Sequence, residues 1–163
     1  RVVALGVDRP AGATEVARRH GIATFSVFPG DFPSRPEWDA ALAAAVAAFR
    51  PDLVVSAGFM RILGRPYLDR LGHNTINTHP ALLPAFPGAH AVRDALAAGA
   101  QVTGCTIHQV DDGVDTGPVI DQRQVVVEPG DTEAALHERI KVQERDLLVA
   151  TVAKLARGQI SLT

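Results

Sequence analysis

Short apolar runs alternate along this chain with stretches of helical length, and that alternation restricts the fold more than any other feature. Residues 2–7 ("VVALGV") read as a buried strand ended by Asp8, Pro10 and Gly12. Residues 13–21 read as a short helix stopped by Gly21, and residues 22–28 ("IATFSVF") as a second strand. After a turn-rich loop at 29–36, the alanine-rich residues 37–49 have strong helix propensity, and Pro51 breaks the chain before a third strand at 52–59. Residues 66–71 suit one or two helical turns, 75–77 a short strand, and 91–99 a helix closed by Gly99. Strands follow at 102–110 and 118–127, then a long helix from about 132 to 156. Strands separated by helices imply βαβ units and a mainly parallel sheet. The short loop between the last two strands implies an antiparallel part.

A chain of 163 residues, 47% of them hydrophobic, can bury the core of one domain. Its formal charge of −2 comes with no basic run, so nucleic acid is not an expected partner. The single cysteine, Cys105, excludes an internal disulfide, fits a reducing compartment and is expected to pack as a small buried hydrophobe. No apolar run reaches the ~18 residues that span a bilayer, and no signal peptide is visible. The default expectation is therefore a cytoplasmic protein without a membrane partner. The chain opens on "RVVALGVDR", directly inside a strand-like run, and its one methionine is Met60; an N-terminal segment is expected to precede Arg1.

The stretch that asks for chemistry is "INTHPALLPAFPGAH", residues 76–90. Asn77 and His79 stand two apart at the end of a strand, so both side chains point to one side, and Pro80 marks the strand's end. Asparagine offers a donor amide and histidine a titratable ring, which together suit the polarisation of a carbonyl and the movement of a proton. A hydrogen-bonded pair that tidies a loop is the plainer reading. The prolines and Gly88 fix the path of the following loop, a good wall for a site. His90, at the start of the next helix, suits an anion there or a capping role.

Further on, "IHQVDDGVDTGPV" holds Asp111, Asp112 and Asp115. The first two are ordinary turn formers. Asp115 precedes Thr-Gly-Pro, and a carboxylate held there could orient and charge a histidine. His108 falls inside a strand and is expected in or near the core. No HxH, HExxH or CxxC spacing is present, so no metal is expected; neither a P-loop nor GxGxxG occurs. On the long helix, Leu136, Ile140, Leu147, Thr151 and Leu155 make an apolar stripe. Glu144 falls on that stripe, and Lys141 could pair with it at i,i+3. A charged residue in an apolar stripe suits a pocket lining, and a surface ion pair is the alternative.

"INTHPALLPAFPGAHAVRDAL" and "GCTIHQVDDGVDTGPVI" together resemble the two signature blocks of the folate-dependent formyltransferase family. "FPGAHA" is similar to the phosphoribosylglycinamide formyltransferase (glycinamide ribonucleotide transformylase) branch. The resemblance runs from "VVALGVDR" through "VQERDLL". It implies a Rossmann-like α/β formyltransferase fold as a single domain, a mostly parallel sheet with an antiparallel part and helices on both faces. In that family a first strand and a Gly-Ser-Asn-type phosphate loop come earlier, so both are expected before Arg1.

The resemblance implies Asn77, His79 and Asp115 as the catalytic group. It places Met60, Arg61, Ile62 and Leu63, with Asp111 and Gly113, around the pteridine of 10-formyltetrahydrofolate. His90, Lys141 and Glu144 would meet glycinamide ribonucleotide, the formyl acceptor in purine biosynthesis, and the family's reaction needs no metal. Small molecules are then the expected partners, with a homodimer left open. Rival readings are a 10-formyltetrahydrofolate hydrolase, which shares the three residues, and a non-catalytic ligand-binding domain. A methionyl-tRNA formyltransferase would need a basic RNA-binding extension, against which the charge of −2 argues.

Overall fold

The structure is a computed structural model and describes residues 1–162. Its elements are β1 (Ala4–Val7), α1 (Ala13–Arg19), β2 (Ala23–Ser26), α2 (Arg35–Ala47), β3 (Val54–Ser56), α3 (Arg65–Leu71), β4 (Thr75–His79), α4 (Ala91–Ala97), β5 (Val102–Gln109), β6 (Val119–Val126) and α5 (Glu133–Ala156). The chain divides into two units, residues 1–54 with 63–72, and residues 55–62 with 73 onward. Among the described residues, no helix is long and apolar enough to cross a membrane.

In the first unit β1 and β2 pair in parallel, with Leu5 opposite Thr24. Helix α2 begins where Ser34 accepts a bond from the Glu37 N–H and Pro36 occupies the first turn. The fully buried Trp38 donates its indole N–H to the Val27 carbonyl at 2.9 Å, which ties α2 to the chain leaving β2. Asp39 is also buried, and its carboxylate is matched by the Gly64 N–H at 3.2 Å and by Arg35 at 3.4 Å. A buried carboxylate without such partners would destabilise the fold.

The second unit carries β4, β5 and β6 in a four-stranded sheet of order β3-β4-β5-β6. Both β4–β5 and β5–β6 are antiparallel, so the antiparallel part begins one strand earlier than the loop at 110–118 suggests. Strand β4 also extends past residues 75–77 to His79, the last residue that can pair before Pro80, which has no N–H. β5 is rich in β-branched residues and buried along all but its first residue, as a strand covered on both faces must be.

Register decides which side chains share a face. Asn77 stands opposite His108, His79 opposite Thr106, and Thr106 opposite Gln122, so these five lie on one side of the sheet. Ile76, Thr78, Cys105 and Ile107 lie on the other. Helix α5 covers that second side: it packs on β5 and β6, and its Lys154 reaches Asp121, opposite Ile107, at 2.9 Å. The stripe that meets the sheet is Leu136, Ile140, Leu147 and Thr151, all buried, with Leu155 half-buried. Thr132 caps the helix by accepting from the Ala135 N–H at 3.2 Å. Asp131 holds the turn before it, accepting the Glu128 N–H and a two-pronged contact from Arg139.

Gly104 is required on the first side of β5. A Cβ there would stand 1.9 Å from the Arg123 carbonyl oxygen and 2.7 Å from Leu82. One obstacle is the backbone of the neighbouring strand and cannot turn aside. Gly104→Ala is therefore expected to destabilise the protein by about 1–3 kcal/mol, the range of core overpacking. A thermal or urea unfolding midpoint equal to that of the parent would contradict this.

Candidate active site

Four side chains converge on the first side of the second unit's sheet. β4 delivers Asn77 and His79, β5 delivers His108, and the β5–β6 loop delivers Asp115. His79 Nδ1 lies 3.3 Å from Asp115 Oδ2, and His108 Nε2 lies 3.5 Å from Asp115 Oδ1. Asn77 Nδ2 lies 3.1 Å from His108 Nε2. The group is largely enclosed, with His79 4% and His108 3% exposed. Its charges are therefore only weakly screened by water.

The loop after β4 supplies two main-chain partners. His79 Nε2 is 2.8 Å from the Phe86 carbonyl oxygen, and the Gly88 N–H donates to Asp115 Oδ2 at 2.8 Å. A carbonyl only accepts, so Nε2 must carry a proton. The other ring nitrogen faces a carboxylate, which also accepts. The ring is thus held between a carbonyl that takes the Nε2 hydrogen and a carboxylate that faces Nδ1.

His108 is placed differently. Its Nδ1 donates to the Gln109 carbonyl at 3.0 Å. With Nε2 bare, that nitrogen accepts from the Asn77 amide; with Nε2 protonated, it donates to Asp115, and Asn77 turns its oxygen towards it. The second state is the one that favours the Asp115 carboxylate.

Asp115 is held below the usual aspartate range. The bond from His108 is the largest cause, burial opposes it, and the Gly88 N–H and the charge of His79 add to the lowering. Its backbone is in the left-handed region, with φ 55°, a conformation costly for most residues other than glycine and most tolerated by aspartate and asparagine. Asp111 shapes this loop: its carboxylate accepts the Thr116 hydroxyl at 2.8 and 2.9 Å and the Gly113 N–H at 3.1 Å.

The remaining candidates are placed as follows. Met60 and Ile62 are 56% and 57% exposed, Arg61 is exposed, and Leu63 is buried and belongs to the first unit. His90 is exposed at the N-cap of α4 and makes no capping bond. Lys141 pairs with Glu138 at 2.7 Å, one turn before it, and not with Glu144. Glu144 is half-buried on the sheet-facing stripe of α5. Burial first, and then the charge of Glu144, push the Cys105 thiol up to about 11, so Cys105 is an inert thiol and no nucleophile.

His108 was not legible as a member of this group. Within "TGCTIHQV" it reads as one more buried strand residue, and only the non-local register that sets it opposite Asn77 reveals it. The alternation itself offered a cue: Thr106 and His108 share a face, as Asn77 and His79 do.

Residues 2–152 match the formyl transferase family. A phosphoribosylglycinamide formyltransferase of Mycobacterium tuberculosis (strain ATCC 25618 / H37Rv) is 61% identical over 162 residues, which cover 99% of this chain and 75% of that protein. The phosphoribosylglycinamide formyltransferase of Escherichia coli (strain K12) is 38% identical over 148 residues, covering 91% of this chain and 70% of that one. Among solved structures, glycinamide ribonucleotide transformylase 1 from Symbiobacterium toebii superposes with a TM-score of 0.97 at 41% identity, covering 100% of this chain and 77% of that chain.

Proposed function

This chain belongs to the formyl transferase family, and from that premise we propose that it moves a formyl group from 10-formyltetrahydrofolate to the primary amine of glycinamide ribonucleotide in purine biosynthesis. It is a phosphoribosylglycinamide formyltransferase by this reading, working in the cytoplasm. The observation that carries it is the His79–Asp115 pair, 3.3 Å apart beside Asn77, in a chain 61% identical to a relative of that name.

The reaction forms a bond between the amine nitrogen and the formyl carbon, breaks the bond from that carbon to folate N10, and moves one proton from the amine to N10. The substrate amine is itself the nucleophile, so the protein's task is to orient, to stabilise charge and to carry the proton. Asn77 has a second amide hydrogen to give to the carbonyl oxygen as it becomes an oxyanion. His79 gives the same oxygen its Nε2–H, which leaves the Phe86 carbonyl to do so. Asp115 faces His79 Nδ1 with its carboxylate at 3.3 Å and so orients the ring. Asp115 also accepts the proton from the attacking amine, directly or through a water, and returns it to the departing nitrogen. His108 acts through Asp115 and Asn77 as a positioning residue.

For the folate, the proposed surface is Met60, Arg61 and Ile62, with the loop of Asp111 and Gly113, all of the second unit. For the ribonucleotide it is His90, Lys141 and Glu144. Two features support the assignment of α5. Glu144 places a carboxylate where the stripe would otherwise be apolar; because α5 covers the sheet side opposite Asn77 and His79, it suits a contact with the ribonucleotide away from the reacting amine. Lys141 is paired with Glu138 in an exposed i,i+3 ion pair, and such pairs contribute little, so Lys141 can turn to a phosphate at small cost.

Lys141→Ala is accordingly expected to weaken ribonucleotide binding by about 1–3 kcal/mol, the scale of a charge-assisted hydrogen bond, and to leave folate binding unchanged. Calorimetric titration of each ligand separately checks this. A loss on the folate side would move Lys141 out of the ribonucleotide site. The reaction as a whole is tested by release of tetrahydrofolate: the transferase needs glycinamide ribonucleotide for it, and a rate independent of that amine would refute the reading.

A further inference from the structure

We propose that Gln122 is a positioning residue for formyl transfer, acting through the β4–α4 loop; the inference rests on the roles given above to His79 and Asp115. Gln122 lies on β6, the edge strand of the sheet, where a glutamine amide would ordinarily face water. Gln122 as a whole is exposed, yet its amide nitrogen is bonded on its inner side. Nε2 donates to the Leu83 carbonyl at 2.8 Å and to Thr106 Oγ1 at 2.9 Å, so both of its hydrogens are committed.

Thr106, fully buried opposite His79, cannot replace it. Its one hydroxyl hydrogen goes to the Ala81 carbonyl at 2.7 Å, and its oxygen accepts the Leu83 N–H at 3.1 Å together with the Gln122 amide. The hydroxyl has no hydrogen left for the Leu83 carbonyl, and Gln122 supplies that bond. Leu83 is thereby fixed at both its N–H and its carbonyl.

Three and five residues further on, the same loop presents the Phe86 carbonyl to His79 and the Gly88 N–H to Asp115. Phe86, with φ 53°, holds a backbone conformation that residues other than glycine rarely populate, and for it the anchored start of the loop matters. Gln122 therefore sets where the main chain grips both members of the His79–Asp115 pair, although its own contacts are with Leu83 and Thr106.

The test compares Gln122→Met, which keeps length and volume but has no donor, with Gln124→Met, two residues along the same face of β6. Gln122→Met is expected to lower kcat on the order of tenfold, short of the ~10²-fold that a 1 Å misplacement can cost, with the dissociation constants of both substrates unchanged. The imidazole proton of His79 Nε2, followed by nuclear magnetic resonance in the free enzyme, should shift or broaden in Gln122→Met and not in Gln124→Met. Parental kcat and a parental His79 resonance in Gln122→Met would overturn the proposal. Should that variant not fold, Gln122→Glu, whose carboxylate cannot donate, is read in its place with the same outcomes. A parent enzyme without amine-dependent transfer would instead refute the functional reading, and the His79 resonance would still report on the loop.

Discussion

Asp115→Asn is expected to lower kcat by about 10²–10⁴-fold, the usual span for a lost general acid–base group, with the fold retained. Asparagine tolerates the left-handed backbone of this position and can still accept the Gly88 N–H. It cannot take a proton. A second readout follows from linkage. The Asp115 carboxyl lies below its ordinary value in the fold, so its contribution to stability is present above that value and is lost as the pH falls through the folded one. Unfolding measured below about pH 4 should therefore show the parent losing stability that Asp115→Asn never had. An unchanged turnover would make Asp115 a turn residue only.

Asn77→Ala is expected to lower kcat by about 10²–10³-fold, the effect of removing one oxyanion donor, with KM nearly unchanged. The donor matters only once negative charge has developed, so the transition state and not the bound substrate feels its loss. The alanine also leaves His108 Nε2 without the Asn77 partner 3.1 Å away. Steady-state kinetics at saturating and limiting substrate separate the two parameters. A loss confined to KM would assign Asn77 to binding.

Much of the architecture could be read along the chain because its signals are local. Glycines and prolines punctuate the elements, and the α5 stripe has the spacing of a buried helix face. Asn77 and His79 stood out for the same reason: a polar pair at strand spacing stops at Pro80. A helix read from 37 misses the Ser34 cap, which starts α2 at Arg35. What local sequence does not carry is who meets whom across the sheet. His108 joins the site only through pairing with a strand 31 residues earlier. The main-chain groups that grip His79 and Asp115 lie on a loop whose path depends on Thr106 and Gln122, far along the chain. Lys141 illustrates the opposite limit. Glu138 and Glu144 both lie three residues from it, and spacing alone does not choose Glu138.

The central claim is that the formyl carbon passes to an amine and not to water. The most direct measurement supplies 10-formyltetrahydrofolate labelled with carbon-13 in the formyl group, together with glycinamide ribonucleotide, and follows the label by nuclear magnetic resonance. The account predicts that the label appears as an amide carbon on the ribonucleotide, one for each tetrahydrofolate released, and that release stops when the ribonucleotide is withheld. Label appearing as formate, at a rate indifferent to the ribonucleotide, would contradict it.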